Sequence, residues 1–274
     1  MSDWDAARYH RLSDPQLAWG RRVLARLGPM PGERILDVGC GTGRLTGEIL
    51  VHMGAGCVVG VDTSAAMLAE SRGQVVARTV GPYDVAQAPH RIHLVRADGA
   101  DLPFAGAFDA VFSAAAFHWI PNHDRLFASI YLALAPGGRL VAQCGGGPNL
   151  EVLLSRARRL MALPEYHDWF DGWRDPWYFA EVPDTRIRLE RAGFTMANAW
   201  LEPAPTTLPD ADAYVDFLSC VCVRHHVARL PAERQPDFLA ALAREAATDD
   251  PPFTLDYWRL NISALKPAGA EQAA

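Results

Sequence analysis

The sequence predicts an α/β fold built on a doubly wound sheet, and three observations predict it. An apolar run, Ile35-Leu36 and then Val38, opens into a loop with glycine at 39, 41 and 43, and helical spacing follows at Leu45, Ile49 and Val51–Met53. Short apolar strands and helical stretches then alternate as far as Gln143. Acids stand at the ends of the second and third strands, Asp62 and Asp98, where open α/β sheets bind ligands.

Each element has a local cause. Asp14 with Pro15 behind it predicts a helix start, Leu17, Val23, Leu24 and Leu27 give that helix its apolar stripe, and Gly28-Pro29 ends it. After the first strand and helix, Cys57–Val61 reads as the second strand, and Thr63-Ser64 cap a helix carrying Met67 and Leu68. Gly73–Arg91 reads as a connection, Ile92–Arg96 as the third strand and Ala110–Ala114 as the fourth. Asn122 caps a helix through Leu134, and Pro136-Gly137-Gly138 turns into a fifth strand, Arg139–Gln143. Beyond Gly147 the pattern becomes helical at Asn149–Leu163, from Asp184 to Gly193, at Asp210–Val221 and at Pro231–Ala247. Phe194–Leu201 and Phe253–Leu265 bring the strand count to seven, and a frayed tail follows from Ala268.

The bulk numbers exclude several functions. The 274 residues, 50% hydrophobic and 21% charged, describe one globular domain with an elaboration. A net charge of −6 argues against a nucleic-acid surface. No apolar run reaches the ~18 residues of a membrane span, and the charged opening MSDWDAARYH is not a signal peptide, so a cytoplasmic protein is expected. Five cysteines at 40, 57, 144, 220 and 222, odd in number and without metal spacing, predict reduced thiols. The adjacent His225-His226 has no third ligand at suitable spacing, so no metal site is expected. The expected partner is a small molecule, with the chain as a monomer or homodimer.

The glycine loop narrows the ligand. A dinucleotide fingerprint reads G-x-G-x-x-G, whereas the spacing here is G-x-G-x-G with Asp37 two residues before the first glycine. A carboxylate facing this loop repels a pyrophosphate. It suits S-adenosylmethionine, which has a sulfonium, an ammonium and a ribose diol and no phosphate. Asp62 is placed to accept from the diol, the Asp98 carboxylate and the Gly99 backbone to meet adenine, and Met67 to touch the ring. Cys40 and Thr63 stand in the same two loops.

ILDVGCGTG, the GVD ending at Asp62, ADGADLPF, FDAVFSAAAFHW and LAPGGRL, in this order over residues 30–145, resemble class I S-adenosylmethionine-dependent methyltransferases. SDWDAARYHRLSDPQLAWG, His118-Trp119 and YWRLNISALKP are similar to stretches of trans-aconitate methyltransferases and juvenile hormone acid methyltransferases, both small-molecule carboxyl O-methyltransferases. The resemblance implies a Rossmann-like, seven-stranded, mostly parallel sheet with an antiparallel last strand, plus an α-helical cap in the C-terminal half. It implies a lead-in over 1–32 that closes on the cofactor, a cofactor-binding core over 33–147 and a cap over 148–267 interleaved with the last strands. It places the methionine moiety over Gly39, Gly41 and Gly43 with Asp37 near its ammonium. Asp62 would hold the ribose, Asp98 and Gly99 the adenine, Ser113 and Ala114 would border the methionine end, and Tyr9 would close over the cofactor. Gln16 and Trp119 match positions that point at the substrate acid. The trans-aconitate enzymes have Gln-Trp where this chain has His118-Trp119, which puts a tricarboxylate acceptor in doubt.

An ionised carboxylate acceptor needs orientation and no base, and the Gln16 amide and Trp119 indole suit that task. A hydroxyl, phenol or carbon acceptor needs a base, for which His118 is the candidate. The third alternative is a non-catalytic binding protein on the same fold. The aromatic run Tyr166–Phe179 is expected to form the substrate cap through Trp169, Trp173 and Tyr178, against the alternative that its tryptophans cement the appended helices. Arg174 and Arg224 are candidates for a second carboxylate.

Overall fold

The computed structural model describes residues 4–79 and 90–269. The chain enters through two helices, α1 (Ala6–Leu12) and α2 (Asp14–Leu27). Asp5 caps α1 by accepting the Arg8 N–H at 3.0 Å. Ser13, not Asp14, is the residue between the helices. Asp14 lies inside the first turn of α2, where its charge complements the helix dipole.

Strand and helix then alternate as expected: β1 (Arg34–Val38), α3 (Arg44–Met53), β2 (Gly56–Asp62), α4 (Ala65–Thr79), β3 (His90–Arg96), β4 (Phe108–Ala114), α5 (His123–Ala133) and β5 (Leu134–Gly145). The Ser64 hydroxyl caps α4 by accepting the Met67 N–H at 3.1 Å. This helix runs through Gly73, which the sequence assigns to a connection; the part of that connection with Gly81-Pro82 and Pro89 lies outside the described residues. β5 starts earlier than expected. Leu134 already pairs with Phe108, the register slips at Pro136-Gly137-Gly138, and regular pairing resumes with Arg139 opposite Ala110.

The C-terminal half holds α6 (Glu151–Met161), α7 (Val182–Arg191), β6 (Thr195–Pro203), β7 (Thr206–Thr207), α8 (Ala211–Phe217), α9 (Arg224–Val227), α10 (Gln235–Ala246), β8 (Thr254–Leu255) and β9 (Trp258–Leu265). Three expectations are corrected here. The helix placed over Asp210–Val221 ends at Phe217 and passes into a π turn, Leu218–Cys222. α10 begins at Gln235 with Pro236 in its first turn, so Pro231 precedes the helix. The single strand expected over Phe253–Leu265 is two: Thr254–Leu255 pairs with β7, and the chain re-enters the main sheet only at Trp258.

The main sheet has seven strands in the order β3-β2-β1-β4-β5-β9-β6. Its first five strands are mutually parallel, and β9 runs antiparallel to both of its neighbours. The winding reverses between β1 and β4, so the crevice at their carboxyl ends is the site the topology provides. One face is sealed by Val23, Leu24 and Leu27 of α2 against Ile35, Phe112 and Val141. The other is sealed by Phe117, Leu126 and Phe127 over Leu36, Val111 and Ile262. A separate core under the C-terminal helices gathers Leu153, Tyr214, Phe217, Phe238 and Leu242. Among the described residues no helix is long and apolar enough to cross a membrane.

Candidate active site

The glycine loop after β1 is built from left-handed backbone: φ is 75° at Gly39, 54° at Gly41 and 75° at Gly43. Gly39 must also lack a side chain, because a Cβ there would stand 2.2 Å from the Ala116 Cβ. The two oxygens of Asp62 fasten this loop to the end of β2, accepting the Gly41 N–H at 3.0 Å and the Ser64 N–H at 2.9 Å. Asp98 folds the end of β3 in the same way, accepting the Ala100 N–H at 2.9 Å.

Two chambers meet around this loop and a third adjoins them. The largest, about 210 Å3, is walled by Gly39, Gly41, Asp62, Thr63, Met67, Asp98, Gly99 and Ala114 on the sheet side and by Trp4, Tyr9 and Trp119 opposite. A second, about 70 Å3, continues past Gly39, Cys40 and Gly41 to Asp37, Thr42 and Arg44. A third, about 50 Å3, lies toward the C-terminal helices between Gln16, His118, Trp119, Asn149, Trp177, Phe179 and Arg259. Tyr9 and Ala115 line all three, and Ala115 has the left-handed φ of 59° that an outward-turned loop after β4 requires.

The wall containing Tyr9 is tied down on two sides. His10 Nδ1 meets Thr42 Oγ1 at 3.1 Å, and Arg44 donates to the His10 carbonyl at 3.0 Å. Arg8 is ion-paired with Asp216 and donates to Ser219 Oγ at 2.7 Å, reaching the C-terminal helices. Trp4 packs edge-on against Tyr9 and Trp119, and the Arg224 guanidinium lies 3.8 Å over its ring.

Electrostatics separate the acids from the would-be bases. Asp37 is buried, accepts from Thr46 Oγ1 at 2.7 Å, and is pushed up to about 7 by burial, with Asp62 adding to the rise. Among the described residues no ion pair includes it. In the third chamber, His118 Nδ1 accepts the Gly145 N–H at 3.3 Å, so the ring proton of the neutral imidazole sits on Nε2. Burial, with Arg259 and His123 adding, holds this imidazole well below its ordinary pKa. Burial also pushes the Tyr9 phenol and the Cys222 thiol up to about 12. Near neutrality these groups are neutral donors. The Gln16 amide shares this chamber, and its Oε1 is buried without a partner.

Several candidates stand elsewhere. Ser113 is fully buried in the sheet and donates to the Val38 carbonyl at 2.7 Å, tying β4 to β1 behind the cavity wall; Ala114, Ala115 and Ala116 border the cavity instead. Gly43 caps α3 and makes room for the Ser71 hydroxyl, away from the chambers. Trp169 and Trp173 pack on the C-terminal core, with Trp173 4.6 Å from the His226 ring, and line none of the chambers. Tyr178 turns to the opposite side, against His123 at 5.0 Å, and accepts from Arg188 at 2.8 Å. In this extended segment neighbours alternate sides, so Trp177 and Phe179 face the chamber and Tyr178 does not. For Trp169 and Trp173 the cementing alternative therefore describes the packing. Sequence reasoning missed Asn149, Tyr257 and Arg259, and within the aromatic run Tyr166–Phe179 it singled out Trp169, Trp173 and Tyr178 where Trp177 and Phe179 line the chamber. The signal available for the last was a cation inside an otherwise strand-like stretch.

A methyltransferase-domain family model matches residues 36–142, the segment that forms the glycine loop and the first five strands. The trans-aconitate 2-methyltransferase of Variovorax paradoxus is 29% identical over 253 residues, 89% of each chain. That of Rhodopseudomonas palustris is 28% identical over 280 residues, 97% of this chain and all of the relative. Among solved structures, the YcgJ protein of Bacillus subtilis superposes with a TM-score of 0.62 at 14% identity, over 91% of this chain and 98% of its own, a likeness of fold alone. With the motif order, the sheet order and the family model in agreement, residues 36–142 form a class I S-adenosylmethionine-dependent methyltransferase domain.

Proposed function

We propose that the protein esterifies a carboxylate of a small organic acid with the methyl group of S-adenosylmethionine. The chambers suit that cofactor: a glycine floor that tolerates no Cβ at Gly39, acids at the ends of β2 and β3, and at Asp37 a buried carboxylate lacking a cation. In this reading Asp62 accepts from the ribose hydroxyls and Asp98 with Gly99 meets the adenine. Thr63 and Met67 flank the ring, Cys40, Gly41 and Ala114 border the methionine end, and Asp37 faces the ammonium. The N-terminal lead-in forms a lid segment whose Tyr9 covers the cofactor, and the C-terminal helices supply the acceptor chamber. Bound S-adenosylmethionine supplies an electrophilic methyl group: the carboxylate oxygen–methyl bond forms as the sulfur–methyl bond breaks and the electron pair stays on sulfur.

The observation that carries the carboxylate acceptor is the hydrogen bond from Gly145 to His118. It occupies the imidazole lone pair, so His118 offers a donor at Nε2 and has no free nitrogen to take a proton. Gln16, Trp119 and His118 then orient an acid already ionised near neutral pH, and the aromatic wall of Trp4, Trp119 and Trp177 excludes water. The relatives' named acceptor, trans-aconitate, is an acid of this kind. With S-adenosylmethionine saturating at each pH, kcat for ester formation is expected to be flat from about pH 6 to 9, and His118→Asn, which keeps an acceptor for the Gly145 N–H, to lose less than about tenfold in kcat. A loss of about 10²- to 10⁴-fold with an acid limb in the wild-type profile would restore the base and a hydroxyl or carbon acceptor.

A further inference from the structure

Arg259 lies on β9, is 3% exposed, and has its guanidinium 4.4 Å over the Trp19 ring. Its Nε and Nη2 are buried with no hydrogen-bond partner, and among the described residues no ion pair includes it. The titratable groups coupled to it are Cys144, Tyr257, Tyr9 and Arg22, none of them a carboxylate. A guanidinium keeps its proton at any physiological pH, so this is a buried cation without a counter-ion, an arrangement that costs stability unless a ligand supplies the anion. Gly145 stands opposite Arg259 in the antiparallel register, and the side chain that it lacks leaves room for Asn149 and Phe179, two walls of the chamber.

The position within the site separates its task from those of Gln16 and Trp119. Gln16 and Trp119 each line the acceptor chamber together with one of the two chambers around the glycine loop, whereas Arg259 lines the acceptor chamber alone. A guanidinium clamped on the reacting oxygens would also withdraw the charge that attacks the methyl group. Building on the carboxylate reading above, we propose that Arg259 is the specificity residue that holds an anionic group of the acceptor other than the one methylated, so that the preferred acceptor carries two carboxylates.

The test uses the full chain loaded with S-adenosylhomocysteine and chain-matched acids: succinate against butyrate, glutarate against valerate, adipate against hexanoate, with trans-aconitate as a further probe. Calorimetry measures binding, and labelled S-adenosylmethionine measures methyl transfer on the same series. The expected result is a preference of about 10- to 100-fold for the better-fitting diacids, lost in Arg259→Gln and partly kept in Arg259→Lys, which retains the charge without the planar fork. Unchanged affinity for S-adenosylhomocysteine reports that a variant is folded; if Arg259→Gln does not fold, Arg259→Lys and Arg259→Met carry the comparison. Equal binding of diacid and monoacid, a preference that survives Arg259→Gln, or no binding of either class to the loaded wild type would overturn the proposal. Diacid binding that depends on Arg259 without ester formation would uphold the anion site and overturn the carboxyl-methylation reading.

Discussion

Asp37 makes the affinity for cofactor depend on pH in a direction the structure fixes. Burial pushes its carboxyl up to about 7, so in the free protein it is about half ionised at neutral pH. An ammonium brought against it favours the ionised form, and binding therefore expels the proton. With a pKa near 7, about one molecule in eleven carries the carboxylate at pH 6 and about ten in eleven at pH 8, so S-adenosylhomocysteine is expected to bind about tenfold more weakly at pH 6. The rise levels off above about pH 8, where nearly every molecule already carries the Asp37 carboxylate. Calorimetry in two buffers of different ionisation enthalpy should count close to one proton released at pH 6 and fewer above 7. Methylthioadenosine, which has no ammonium, should show neither effect, and Asp37→Asn should abolish both for S-adenosylhomocysteine. Flat affinity from about pH 5.5 to 7.5, or the same slope in Asp37→Asn, would refute the reasoning. The same shift has a sign in the free protein. The folded state holds this proton more tightly than the unfolded chain, so the contribution of Asp37 to stability is full below about pH 4 and is lost as the pH rises through about 7.

Two further outcomes follow from the loop. Asp62→Ala removes two backbone hydrogen bonds together with the proposed ribose acceptor, so S-adenosylhomocysteine affinity should fall about 100-fold or more by calorimetry; a change under about threefold would remove Asp62 from the site. Gly39→Ala forces a left-handed alanine and a collision with Ala116, and should cost about 2–4 kcal/mol in urea unfolding, where wild-type stability would show that the loop has another conformation.

The parts of this site that local chemistry dictates were legible in the sequence. A glycine loop after an apolar strand, and acids at the ends of two adjacent strands, depend on turn geometry and strand ends, and the structure brings Gly39, Gly41, Asp62, Asp98 and Gly99 to one cavity. What depends on distant contacts was not legible. Whether Trp177 or Tyr178 faces the chamber is a matter of phase in an irregular segment, set by the Tyr178 N–H donating to the His118 carbonyl at 2.8 Å. Arg259, Asn261 and Ser263 alternate with Leu260, Ile262 and Ala264, a pattern that ordinarily marks a solvent face. Here that polar face is roofed by α2, whose Arg26 donates to Asn261 at 2.6 Å and whose Trp19 lies under Arg259. No property of the strand by itself announces a roof that the chain lays down more than 200 residues earlier.

The place of β9 also fixes when during synthesis the molecule can become whole. β5 and β6 each have an edge that β9 covers, and β9 is the last of the described elements in chain order, so it is made after both. Until then the nascent chain carries two bare strand edges, the kind of surface that pairs with neighbouring chains. A product cut short at Tyr257 would hold the complete glycine loop and both acids and still lack the strand that joins β6 to the rest of its sheet, so the same eight residues that close the fold also bring Arg259 to the third chamber.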